Sequence, residues 1–214
     1  MLEVKIFTLY PDLFPGPLDM GIYKKAKENK IWDLKVINIR DYSIDGRGSV
    51  DDTPFGGGSG MLLRPDVVAS ALDKNTKPGE KIIYLSPKGR KFDQREARSI
   101  SKLNKLNILC GHFEGIDQRL LETRNIEEYS LGDFILSGGE TASFVFVDAL
   151  IRLLPGVLGN SESNKEESFE NYLLEHPQYT KPKDWEGKSP PDILFSGDHA
   201  KIKGWRLSQS EAIT

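Results

Sequence analysis

Apolar and polar residues alternate along five short stretches, at residues 4–9, 34–38, 81–85, 107–110 and 130–135, each rich in β-branched or aromatic side chains. That period of two predicts strands. Between them apolar residues return every three or four positions, which predicts helices over 22–29, 65–72 and 94–103. Pro65 suits a first helical turn, where the N–H it lacks would have no partner anyway. A further apolar helix is predicted over 144–154, stopped by Pro155 and Gly156. Strands alternating with helices predict an α/β fold with a mostly parallel sheet covered on both faces.

The pattern then breaks. Residues 159–167, GNSESNKEE, are polar and turn-rich and read as a mobile linker. Beyond it, 169–174 and 201–208 look like pieces of a small second unit. A stretch containing Pro177, Pro182, Pro190 and Pro191 separates them and should be extended. The expected division is an α/β domain over 1–158, a linker over 159–168 and a small helical domain over 169–214.

Composition narrows the class. Of the 214 residues 38% are hydrophobic and 29% charged, enough apolar material for a packed core. No apolar run approaches the ~20 residues that span a bilayer. The start, MLEVKIFTLYP, reads as a buried first strand rather than a signal peptide. The single cysteine, Cys110, has no disulfide partner in the chain, and no Cys/His spacing suggests a metal site. A cytoplasmic protein with no metal ligands is the expectation. The net charge of −3 would not by itself suggest a nucleic-acid partner, although it leaves room for a local basic patch.

Four glycine-containing segments carry the candidate chemistry: PFGGGSGM at 54–61, LSPKGR at 85–90, LCGHFEGIDQR at 109–119 and SLGDFILSGGE at 130–140. The last three each follow a predicted strand. In open α/β sheets the ligand crevice lies beyond the carboxyl ends of the strands. Glycine lets main chain approach a ligand closely, so exposed N–H and C=O groups can read a flat base. One such glycine is more often a plain tight turn; three in one chain favour a ligand site. None matches the dinucleotide or nucleoside-triphosphate glycine fingerprints. The triple glycine at 56–58, flanked by Asp51, Asp52 and Arg47, suits a loop that closes over a nucleotide, or a simple surface loop. Arg152, Glu166, Glu167 and His176 read individually as helix-end, linker and loop residues.

At these motifs the chain closely resembles the bacterial tRNA (guanine-N1-)-methyltransferases, a branch of the trefoil-knotted methyltransferases. The likeness runs in order through KIFTLYP, VDDTPFGGGSGM, LSPKGR, LCGHFEGIDQR, LGDFILSGGE, RLLPGVLG, ESFENYLLEHPQYTKP and LFSGDHAKIKGWR, nearly the whole chain. The resemblance implies a deep trefoil knot in the α/β domain, an exception to the no-knot rule. It also implies a small helical domain that binds tRNA, and a homodimer whose active sites are built from both subunits. The implied reaction is methylation of N1 of guanosine 37 in tRNA by S-adenosyl-L-methionine, with a magnesium requirement attributed to the family.

Carried over by motif, the methyl-donor pocket comprises Tyr84, Leu85, Ser86, Pro87, Gly89, Gly111, Glu114, Gly115, Leu131, Gly132, Asp133, Phe134, Ile135, Leu136, Gly138 and Gly139. The catalytic candidates are Arg152, Asp51 and Glu167. At Glu167 the family usually has aspartate as the general base; here the carboxylate sits one methylene further out. Further departures are His112-Phe113 for arginine-tyrosine and Lys181 for arginine. Two other readings are a knotted methyltransferase acting on another RNA site and an RNA-binding protein that has lost catalysis. The PFGGGSGM and PGVLG-to-ESF segments favour the first reading.

Overall fold

The computed structural model describes residues 1–158, 168–169 and 172–214. It divides into two compact units, Met1–Gly159 and Asn160–Thr214. Glu166 and Glu167, with the rest of 159–167, lie outside the described residues.

The first unit is built on five parallel strands. They are β1 (Leu2–Thr8), β2 (Trp32–Asn38), β5 (Ile82–Lys91), β6 (Lys105–Leu109) and β7 (Glu127–Ser130), in the spatial order β2-β1-β6-β5-β7. The expected α/β class with a parallel sheet is present. Two-residue strands β3 (Asp51–Asp52) and β4 (Leu62–Leu63) pair antiparallel beside it. The helices are α1 (Gly21–Glu28), α2 (Pro65–Asn75), α3 (Gln94–Ile100), α4 (Gln118–Thr123) and α5 (Gly139–Ile151).

Alternation along β1 explains the two layers of core. Leu2, Val4 and Ile6 face one side, where they meet Ile83, Leu106, Ile108 and the α5 residues Phe146, Val147 and Leu150. Phe7 faces the other, against Val67, Val68 and Leu72 of α2 and Leu120 and Leu121 of α4. Lys5 breaks the apolar pattern and is satisfied at the carboxyl end of α2, where its ammonium donates to the Asn75 carbonyl at 2.7 Å.

The structure corrects the expected strand at 130–135. Strand β7 ends at Ser130, where that strand was expected to begin. The Ser130 hydroxyl bonds both the N–H and the C=O of Gly132 at 3.2 Å, and Gly132 adopts φ of 151°, which turns the chain out of the sheet. Phe134, Ile135 and Leu136 are therefore exposed loop residues, though their hydrophobicity reads as strand. Helix α5 likewise starts at Gly139, five residues before the expected 144, because the glycine loop runs directly into it. Helix α4 and the β3–β4 pair are too short to leave a periodic signal.

The second unit contains helix α6 (His199–Ile213), longer than the expected 201–208. Asp198 caps it by accepting from the Lys201 N–H at 3.1 Å. The proline-rich stretch before it holds one short 3-10 turn, Asp192–Phe195, among its described elements. Among the described residues no helix is long and apolar enough to cross a membrane.

Candidate functional site: a cleft at the strand ends

The irregular segment of β5 between Leu85 and Arg90 and the loops that follow β6 and β7 converge on one cleft of about 360 Å³. All the expected donor-pocket residues except Gly89 and Asp133 line it. His112, Phe113, Lys88 and Gln118 line it too, and sequence reasoning did not select them.

Close main-chain packing builds the cleft. A Cβ on Gly89 would collide with the backbone of Glu128 and Tyr129, so glycine is needed for the irregular segment of β5 to lie across β7. Gly89 thus supports the cleft from behind, whereas Asp133 is an exposed loop residue. Gly139 donates its N–H to the Gly111 carbonyl at 2.9 Å, and a Cβ there would stand 2.6 Å from the Cα of Cys110. The Tyr84 ring packs against Gly111. Burial first, then the Glu128 charge, pushes the Tyr84 phenol up to about 12, so it stays a neutral hydrogen-bonding group at the cleft wall.

The glycine-rich loop at 54–61 is tied to the same site. The Glu114 N–H donates to the Met61 carbonyl at 2.9 Å and the Leu63 N–H to the Gly115 carbonyl at 3.0 Å. A Cβ on Gly60 would sit 2.5 Å from the Glu114 side chain. Asp51 pairs with Leu63 in the β3–β4 ladder, so it stands one strand away from this loop without lining the cleft.

Arg152 is elsewhere. It caps the carboxyl end of α5, while Gly139 opens the amino end at the cleft. Thirteen residues of helix separate the two ends by roughly 20 Å. One turn before Arg152, Asp148 accepts from the Tyr23 hydroxyl at 2.7 Å, and the Arg152 charge acts on that phenol. Tyr23 is pushed up to about 12, by burial first and then by its bond to Asp148. Within one chain, then, most of the expected donor-pocket residues share one cleft, and Arg152 lies at the far end of α5 from it.

The larger cavity, about 1050 Å³, belongs to the second unit and is lined by Lys181, Lys203 and Arg206 together with Tyr179, Phe195 and Trp205. It lacks strand-end glycine loops. Cations interleaved with aromatic rings are what single-stranded nucleic acid contacts require.

A parallel sheet with glycine-containing segments converging on one cleft defines an α/β protein with a cleft suited to a flat ligand approached closely by main chain. Comparison with known proteins is specific: the family described as tRNA (Guanine-1)-methyltransferase TrmD matches residues 2–214, and the chain belongs to that family. A curated tRNA (guanine-N(1)-)-methyltransferase of Pelagibacter ubique is 66% identical over 214 residues, covering 100% of this chain and 94% of the relative. Proteins of the same description from Brucella canis and Bartonella tribocorum are each 51% identical over 212 residues. Those alignments cover 99% of this chain and 86% and 91% of the two relatives.

Proposed function

We propose that the protein transfers a methyl group from S-adenosyl-L-methionine to N1 of guanosine 37 in tRNA. The observation that carries this is the convergence of the three motif loops on one cleft in a chain that matches the methyltransferase family along its whole length. The residues suit the donor: main-chain groups of the loops at 84–89, 111–115 and 131–139 can read an adenine edge, and no Cβ fits at Gly111 or Gly139. When bound, the donor supplies an electrophilic methyl on a sulfonium that leaves neutral.

The chain's own residues do the rest. Guanine N1 carries a proton and is a poor nucleophile until it loses it. Glu167 takes that proton, a step typically worth ~10²–10⁴ in rate. Arg152 stabilises the negative charge that spreads to the purine O6, and Asp51 serves activity or tRNA handling. Much of the remaining acceleration is alignment of N1 with the methyl.

The family resemblance implies a homodimer with each active site built from both subunits, and the position of Arg152, a helix length from its own cleft, supports that reading. The family resemblance also implies that the α/β domain carries a deep trefoil knot. The basic, aromatic cavity of the second domain holds tRNA. Among the described residues no three His, Cys, Asp or Glu side chains gather to hold a metal. A cytoplasmic location follows from the tRNA substrate.

Calorimetry with S-adenosyl-L-methionine and no tRNA tests the site. Binding by well-folded protein is expected, and its absence would remove the donor assignment.

A further inference from the structure

A largely buried side-chain hydrogen bond underlies the cleft, and no step of the proposed reaction uses it. His112 Nε2 lies 2.6 Å from Glu140 Oε2, with side chains only 13% and 5% exposed. His112 directly follows Gly111, and Glu140 directly follows Gly139. The pair therefore repeats, with side chains, the main-chain bond that already joins those two glycines. Glu140 is also anchored from a third element: the Thr8 hydroxyl at the end of β1 donates to its other oxygen. Thr8 in turn accepts from the Tyr10 N–H at 2.9 Å, and the Tyr10 ring meets the His112 ring edge-on at 4.9 Å. Gly138 has no room for a side chain because the His112 ring and the Glu140 carboxylate occupy it. Position 140 is the second residue of α5, where the helix dipole favours a carboxylate.

We propose that His112 and Glu140 are a positioning pair for the methyl donor: Glu140, fixed by Thr8 and accepting from His112 Nε2–H, clamps the β6 loop to the α5 entry and so sets donor affinity. The proposal rests on the donor reading of this cleft. Neither residue touches the transferred methyl. Their effect runs through the relative placement of Gly111 and Gly139. A side chain that cannot donate at the Nε2 position leaves one Glu140 oxygen buried without a partner, and the loops separate to let water in.

Calorimetry with S-adenosyl-L-methionine on the full chain, beside steady-state kinetics on a tRNA transcript, tests the pair. His112→Leu should weaken donor binding by roughly 10- to 100-fold, the effect of losing one hydrogen bond to a buried charged group. The donor KM should rise in parallel while the tRNA KM and kcat stay within about twofold. His112→Gln, which can place an N–H near the same point, should recover most of the loss. Equal affinity in wild type and His112→Leu would overturn the proposal, as would a His112→Gln protein as weak as His112→Leu. If neither variant folds, nitrogen-15 spectra of the wild-type imidazole decide: a proton on His112 Nε2 supports the pair, and an unprotonated Nε2 refutes it. Failure of the wild type to bind the donor at all would instead defeat the reading of the cleft itself.

Discussion

Replacing Gly139 by alanine adds one methyl group at the tightest point of the cleft. The new Cβ would stand 2.6 Å from Cys110 Cα, 2.8 Å from the Gly111 nitrogen and 3.1 Å from the Cys110 carbonyl carbon, all of them backbone. Ordinary contact needs about 3.4 Å, so one of the two segments must retreat by roughly 0.8 Å, and no flexible side chain can absorb the shift. Overpacking of this kind costs about 1–3 kcal/mol. For a chain of this size that is a fall in melting temperature of roughly 2–12 °C, which leaves the protein folded at room temperature. The same shift stretches the 2.9 Å bond from the Gly139 N–H to the Gly111 carbonyl and widens the donor pocket between them. Donor affinity should fall at least tenfold, a larger effect than the modest loss of stability would suggest. Gly204→Ala is the control: it lies within α6 with nothing inside 4 Å of the added methyl, and should leave affinity unchanged and stability equal or higher. Thermal melts and calorimetry on the two variants measure both quantities. Gly139→Ala protein that binds S-adenosyl-L-methionine like the wild type would refute the argument that close loop packing forms the site.

Three further predictions follow from the same account. Glu167→Gln should lower the single-turnover methylation rate by roughly 10²–10⁴ with donor affinity unchanged, while Glu167→Asp stays within about tenfold and Glu166→Gln is neutral; a dead Glu166→Gln beside an active Glu167→Gln would shift the base by one residue. Tyr23, Tyr84 and Tyr129 are each held up to about 12, so an alkaline absorbance titration should find them still protonated where ordinary tyrosines ionise. Their raised values favour the folded state fully below pH 10, and that contribution is lost as pH rises from 10 towards 12; stability that rises across this window would contradict the burial argument. Sedimentation at assay concentration should show a dimer, and a fully active monomer would mean that Arg152 does not serve a neighbouring cleft.

Much of the fold was legible because β2, α1 and α2 bury one face each and so carry a plain apolar period, and because β1 alternates apolar residues between two core layers. The carboxyl half of the sheet was harder. Phe134, Ile135 and Leu136 are apolar because they line the cleft, not because they pair in the sheet, and periodicity does not distinguish the two. The glycine motifs were legible and three of them meet at one cleft, while the individual residues assigned to it came from the family resemblance; Gly89 packs against β7 rather than facing the cavity. The His112–Glu140 contact joins residues 28 positions apart in the chain, and nothing in local spacing announces it. A carboxylate directly after a double glycine at a helix start was the one signal that could have raised it. The distance between Arg152 and the cleft follows from the length of α5, a property of the helix as a whole.

The central claim is methyl transfer to N1 of one guanosine of tRNA. The most direct measurement incubates the protein with methyl-labelled S-adenosyl-L-methionine and two tRNA transcripts that differ only in guanosine or adenosine at position 37, then maps the modified nucleoside. The account predicts N1-methylguanosine at position 37 of the first transcript and no label in the second. Equal labelling of both transcripts, or label in neither from protein that binds the donor, would contradict it.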